Sequence, residues 1–275
     1  MWFYLNDSYR EQLQENGLRH FTDFMTFSGG RVLKRLPFRT ITKIELPNGG
    51  KMATFFLKRH TGAVKPFEML RTLFSGFSLS WGRKEWEVIE AFRRSGIPTL
   101  TPVAAGEKIS LFRQESFLMT QELSGFQSLE QFLRNYFSPP LAPAKMLEKR
   151  AIIKEVSELT KKMHSAGINH RDFYCCHIFI RLPDNGHREW CILDLQRADR
   201  RRWLRNRWII KDLAALNYSA PARIITRTDR LRFLVHYLDG IDSVRQNSFL
   251  IRQVMRKTLR ISRHDVKVQA RKLKE

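Results

Sequence analysis

The sequence predicts an α+β fold in two lobes, a small antiparallel-sheet lobe over residues 1–122 and a mainly helical lobe over 123–275. Three observations predict it. Residues 28–59 alternate turn signals with strand-like runs, ending in Met52-Ala53-Thr54-Phe55-Phe56-Leu57-Lys58-Arg59. From Gly82 onward most of the chain carries a 3.6-residue apolar period instead of a period of two. Between these regimes and the C-terminus lies His170-Arg171-Asp172, a polar loop set between a long helical run and a hairpin.

The elements follow in order. Residues 1–27 are mixed and aromatic, and Ser28-Gly29-Gly30 makes a turn. Arg39 to Leu46 alternates polar and apolar side chains, as a half-buried strand does, and Pro47-Asn48-Gly49-Gly50 is a strong hairpin turn. Residues 60–80 read as a longer connection. A helix runs from Gly82 to Ser95, closed by Gly96 and Pro98. Glu85, Ile89 and Phe92 share its apolar face, whereas Glu87 and Glu90 lie off it and read as solvated. A carboxylate on an apolar face is costly unless paired, and Lys58 ends an apolar strand. Ser116 to Gly125 is a strand with a glycine break.

Ser128 caps a short helix that Phe137-Ser138-Pro139-Pro140 interrupts. A long helix from Ala144 to Ser165 buries Ile152, Val156, Leu159 and Met163, with Lys and Glu around the rest, and ends at Gly167. Ile178 to Leu182 and Trp190 to Leu195 are strands joined by the turn Pro183-Asp184-Asn185-Gly186. That hairpin folds Asp194 back beside His177 and Asp172, so two acids far apart in sequence reach one mouth. Trp208 to Leu216 reads as a buried helix with one acid, Asp212, whose oxygens suit loop backbone N–H groups. Thr228 to Leu238 is a helix with Leu231, Leu234, Val235 and Leu238 inward. Residues 252–275 form an amphipathic stretch with nine Lys/Arg against two acids.

The loop, with the lysine strand and glutamate helix before it and the aspartate hairpin after it, resembles the protein-kinase fold. A bilobal protein-kinase-like architecture is what the resemblance implies, and with it roles for single residues. Lys58, held by Glu85, would clamp ATP phosphates. Gln121 to Leu123 would be the adenine-binding hinge. Asp172 would be the catalytic base and Asp194 a Mg²⁺ ligand, its triplet being Asp-Leu-Gln rather than Asp-Phe-Gly. His177 stands where the second metal ligand, Asn, is usual; imidazole suits hard Mg²⁺ poorly, so contact with phosphate is the other role open to it. His170 and Arg171 would brace the loop, and Asp212 would anchor it. The chain departs from the pattern at the phosphate-covering loop, for which it offers only Gly29 and Gly30 and no G-x-G-x-x-G.

A narrower resemblance rests on Ile168-Asn169-His170-Arg171-Asp172-Phe173-Tyr174-Cys175-Cys176-His177. This string is similar to the loop of the lipopolysaccharide core heptose kinases, the WaaP/RfaP type within the Kdo/WaaP kinases, where the Asn position is also His. Phe56 to His60 and Glu85-Trp86 resemble the same family, which implies ATP- and Mg²⁺-dependent phosphorylation of an inner-core heptose. The acceptor would be a phosphorylated or carboxylate-bearing glycolipid. Arg197, Arg200 and Arg201, in the arginine run after Asp194, are placed to meet its anionic groups.

Composition limits the remaining classes. Hydrophobic residues make up 43% and aromatics 12%, enough for a real core. The net charge of +22 points to polyanionic partners: an anionic membrane surface, a glycolipid, or an acidic protein such as an acyl carrier protein. Nucleic acid is not expected, because no recognition motif is present and a cleft of acids repels phosphate. Three cysteines, two of them adjacent, make no disulfide framework and suggest a reducing compartment. No signal peptide or membrane-spanning run is read, so a cytoplasmic place is expected, with membrane contact only peripheral; the resemblance implies that this contact is at the inner face of the inner membrane. The loop itself leaves open a Kdo, other sugar or tyrosine acceptor, or a lipid-binding pseudokinase.

Overall fold

The computed structural model describes residues 1–63, 80–110, 113–183, 186–200 and 205–272. Two compact units emerge, one of residues 1–94 with 99–124, the other of residues 95–98 with 125–275.

The first unit is built on β1 (Trp2–Leu5), β2 (Arg31–Leu36), β3 (Arg39–Asn48), β4 (Lys51–Ala63), β5 (Pro102–Ser110) and β6 (Arg113–Gln121). They form a six-stranded sheet in the order β1-β5-β6-β4-β3-β2, every pairing antiparallel. The sheet is wider than residues 28–59 predict. Trp2–Leu5 supplies an edge strand from the region read only as mixed and aromatic, and Pro102-Val103-Ala104-Ala105-Gly106 carries too little β-branched character to announce β5. Helices α1 (Arg10–Glu15) and α2 (Phe21–Thr26) bring Leu13, Phe21 and Phe24 into one core with Phe55, Leu57 and Phe117. Phe24 stacks on Phe117 with ring centroids 4.5 Å apart.

Helix α3 (Trp81–Arg94) packs on β5, β6 and β4. Gly82 permits this, since a Cβ there would sit 2.9 Å from the Phe117 carbonyl oxygen. One turn later Glu85 is held close over the sheet. Gly29 and Gly30 lie just before β2, and Gly30 is demanded by packing: its φ is +94°, and a Cβ would fall 2.3 Å from the Lys43 carbonyl oxygen. The hairpin tip between β2 and β3 is instead Pro37-Phe38, with Leu36 paired to Arg39.

The second unit contains α4 (Leu129–Tyr136), α5 (Pro143–Ser165), α6 (Arg205–Ser219), α7 (Arg227–Tyr237), α8 (Ile241–Gln246) and α9 (Ser248–Lys272). Short strands thread between them: β7 (Gln127–Ser128), β8 (Ile168–Asn169), β9 (Ile178–Arg181), β10 (Glu189–Ile192) and β11 (Asp199–Arg200). They pair as β10-β9-β7 and β11-β8. Helix α5 buries the expected stripe, but Lys149, one of the Lys and Glu placed around the rest, is buried as well; it pairs with Asp229 at 2.7 Å and donates to the Ile224 carbonyl. The α7 prediction needs correction at Leu231, which is 42% exposed. Phe233 and Tyr237, four residues apart, take the inward face with Leu238 instead. The C-terminal cationic stretch is helix α9, whose Val254 and Ile261 pack with Leu213 and Ala214 of α6. No helix among the described residues is long and apolar enough to cross a membrane.

Candidate active site

In the first unit, Lys58 lies on β4, between β3 and β6, opposite Ile41 and Leu118. Strand alternation turns Phe55 and Leu57 into the core and Lys58 to the other face. There its Nζ meets Glu85 Oε1 at 2.5 Å, with side chains 14% and 3% exposed. Glu85 Oε2 is buried and accepts no hydrogen bond among the described residues. A carboxylate this buried depends on the lysine for its charge, and the lysine is thereby held in one place. Gln121 accepts from the Tyr9 hydroxyl at 2.7 Å, and Glu122 N–H donates to the Thr54 carbonyl. Glu122 also pairs with Lys43 at 3.1 Å. Leu123 is half-buried.

The second unit holds the loop. Asp212, fully buried on α6, accepts the His170 N–H at 2.8 Å and the Arg171 N–H at 2.7 Å, one on each oxygen. These bonds stabilise a strained backbone, because Arg171 has φ 71°, a left-handed conformation costly for a non-glycine residue. His164 of α5 reaches the same carboxylate at 3.4 Å. His170 is fully buried; its Nε2 donates to the Leu193 carbonyl at 2.8 Å, and burial pushes its pKa down, keeping it neutral. The Arg171 side chain leaves the loop to pair with Asp199 at 3.3 Å and to lie 4.3 Å over the Trp208 ring. Both residues thus lie between the loop and its neighbours.

The β9–β10 hairpin pairs Ile178 with Ile192, and Leu193 N–H donates to the His177 carbonyl at 2.9 Å. Asp194 therefore stands beside His177, Oδ2 lying 3.6 Å from Nε2. It is exposed and left-handed, with φ 59°. His177 Nδ1 donates to the Asp172 carbonyl at 2.7 Å. Its pKa is raised to about 9, chiefly by the Cys176 side chain and further by the Asp172 carbonyl and Asp194. The ring is therefore cationic at neutral pH, with Nδ1 bonded to the Asp172 carbonyl and Nε2 in ion-pair range of Asp194.

The Asp172 carboxylate faces two cations. Arg197 Nη1 lies 2.9 Å from Oδ2 and Lys211 Nζ 3.3 Å from Oδ1. Burial lowers the Lys211 pKa and Asp172 opposes that shift. Sequence reasoning missed Lys211. Its signal was its place, next to Asp212 on the helix that anchors the loop. Arg200 is exposed on β11, its side chain passing Gly167, and does not join the Asp172 cluster. Arg201 lies outside the described residues.

The donor set fits Mg²⁺ carried by a nucleotide. Among the described residues no three His, Cys, Asp or Glu side chains gather into a cation cage. Mg²⁺ in nucleotide sites is held by one or two carboxylates plus substrate phosphates, and exposed Asp194 can supply one.

Residues 56–237 match the lipopolysaccharide kinase (Kdo/WaaP) family. Over 213 residues the chain is 35% identical to the lipopolysaccharide core heptose(I) kinase WaaP of Pseudomonas aeruginosa, covering 76% of each chain. It is 32% identical over 245 residues to the enzyme of the same name from Escherichia coli, covering 86% of this chain and 89% of that one. A solved structure of WaaP in complex with acyl carrier protein superposes with TM-score 0.73 at 30% identity, covering 94% of this chain and 99% of that one.

Proposed function

The chain belongs to the lipopolysaccharide kinase (Kdo/WaaP) family, and on that premise we propose that it transfers the γ-phosphoryl group of ATP to a heptose of the lipopolysaccharide inner core. One observation carries the reading: Asp172 is held in an anchored loop with two cations on its carboxylate and Asp194 returned alongside by the hairpin. Phosphoryl transfer asks little covalent work of a protein and much positioning, and these residues supply positions.

Asp172 accepts the proton of the attacking sugar hydroxyl. Lys211 stabilises negative charge gathering beside it, and Arg197 receives the anionic groups of the acceptor. Asp194 would hold Mg²⁺, and His177, as an imidazolium tied to the Asp172 carbonyl, fixes the spacing of the two acids. Lys58, oriented by Glu85, takes nucleotide phosphates. The backbone of 121–123 meets the adenine, with the Leu123 N–H unengaged among the described residues. Mg²⁺–ATP supplies the electrophilic phosphorus.

Two partners belong to the same proposal. A basic chain acting on a lipid-linked acceptor works peripherally at the cytoplasmic face of the inner membrane. An acyl carrier protein is the second, supported by the similar WaaP structure, which was solved in complex with one, and by the net charge of +22.

Purified protein incubated with Mg²⁺–ATP and phosphate-free core glycolipid tests the reading. Phosphate transfer should be seen, and should vanish in Asp172→Ala and Lys58→Ala. Transfer persisting in Asp172→Ala sinks the mechanism.

A further inference from the structure

A groove of about 500 Å³ opens between α6 and α9 in the second unit. Arg207 and Lys211 line it from α6, Arg256, Lys257 and Arg260 from α9, and Arg197 from the segment after the hairpin. No aspartate or glutamate lines it among the described residues. Arg207, Arg256, Lys257 and Arg260 have no carboxylate within ion-pair distance there either. Lys149, Arg181 and Arg188 of the same unit each have an acidic partner; what sets the four apart is that they line one concavity together.

The arrangement follows from the sequence of α9. Val254 and Ile261, seven residues apart, turn to α6 and join the core. Gln253, Arg256, Lys257 and Arg260 follow the spacing three, one, three and so share another face, the one that lines the groove. Arg207 is held with its guanidinium 5.4 Å over the Trp208 ring. Unbalanced cations converging on one concavity repel each other, so the site is organised for a ligand that brings negative charge.

The groove's position identifies that ligand. Lys211 and Arg197 line it and also touch the Asp172 carboxylate. An anion seated there lies beside the proposed base, which must come within hydrogen-bond reach of the acceptor hydroxyl. The volume matches a small polar ligand, and a flat membrane surface cannot enter a concavity. We infer that the α6–α9 groove binds the acidic saccharide portion of the acceptor, through carboxylate or phosphate groups. The inference rests on the kinase reading and gives the C-terminal helix a part in substrate recognition.

The test compares two charge-matched triple variants of the full chain. One is Arg256→Ala/Lys257→Ala/Arg260→Ala, inside the groove; the other is Arg252→Ala/Arg263→Ala/Lys267→Ala, on α9 outside it. The probe is a de-acylated, phosphate-free inner-core oligosaccharide that keeps its acidic sugars. The groove variant should raise the oligosaccharide KM about tenfold or more, leaving kcat and the ATP KM within about twofold, while the outer variant changes little. Equal effects of the two variants, or none, overturn the inference. Equilibrium binding of the oligosaccharide without nucleotide separates the two readings. Binding that only the groove variant loses, in a protein that transfers no phosphate, keeps the groove and sinks the kinase assignment. Loss of affinity for acyl carrier protein with oligosaccharide affinity intact makes the groove a protein dock and overturns the inference. Thermal unfolding of each variant checks the fold, and Arg256→Gln alone replaces the triple if the triple unfolds.

Discussion

The Arg197 guanidinium closes on the Asp172 carboxylate, Nη1 lying 2.9 Å from one oxygen and 3.1 Å from the other. The group proposed as base is thus covered by the residue proposed to receive the acceptor's negative charge. An arriving anion competes for the arginine and uncovers the carboxylate. Asp172→Asn should lower kcat by about 10²–10⁴-fold with little change in unfolding temperature. Arg197→Ala should act mainly on the acceptor KM. Steady-state kinetics with both substrates varied separate the two outcomes, and a pure kcat effect of Arg197→Ala contradicts its assigned role.

Lys58→Met should destabilise the first unit as well as abolish transfer, because it strands a buried Glu85. Breaking one partner of a buried pair costs about 3–5 kcal/mol. The double variant Lys58→Met/Glu85→Leu removes the stranded charge and should recover much of that stability while staying inactive. Urea unfolding checks the stability, and a double variant no more stable than the single one contradicts the account.

Asp212→Ala leaves two backbone N–H groups, one buried and one part-buried, without acceptors and frees the strained Arg171 from the bond that holds it. The expected loss is about 2–5 kcal/mol of stability, together with a fall in kcat. Asp212→Asn keeps one acceptor oxygen and should lie between. Hydrogen exchange should show faster exchange at His170 and Arg171 in both variants.

Asp194→Asn should raise the Mg²⁺ concentration needed for half-maximal rate by about tenfold or more, since a charged oxygen ligand becomes a neutral one. Titrating Mg²⁺ at fixed ATP reads this directly.

His60 is buried in β4 with a pKa pushed down to about 3 by desolvation, then by Arg39 and Lys58. The unfolded chain binds a proton at this histidine near pH 6.5 that the folded chain refuses. Stability from this group should therefore be complete above that pH and fall as pH drops toward 3, by up to about 1.4 kcal/mol per pH unit. His60→Phe should flatten that part of the acid profile. An unchanged slope would mean that other groups set it.

The loop and its hairpin were readable because their signals are local. Asp212 as anchor was readable too, as the acid inside an apolar helix. β1 and β5 were not, since a four-residue aromatic edge and an alanine-rich strand lack the alternation that marks strands. Lys149 and Leu231 went wrong for a common reason: the period assigns residues to faces, but the packed neighbours decide which face is buried. The groove was hidden for the same cause. The charge of residues 252–275 was plain, yet which face of α9 meets α6 depends on a contact between segments about forty residues apart.

The β9–β10 ladder has a consequence for how such enzymes diverge. The neighbourhood of His177 and Asp194 is set where the strands begin and end, by the Ile178–Ile192 pairing and the Leu193 N–H bond. Nothing in that geometry depends on how many residues the chain spends turning around. The far end can therefore lengthen, shorten or accept an inserted tag at little cost to the chemistry. The count of residues between the two acids is free to drift, and a search for distant relatives gains by scoring each strand's flanks and leaving the gap unspecified.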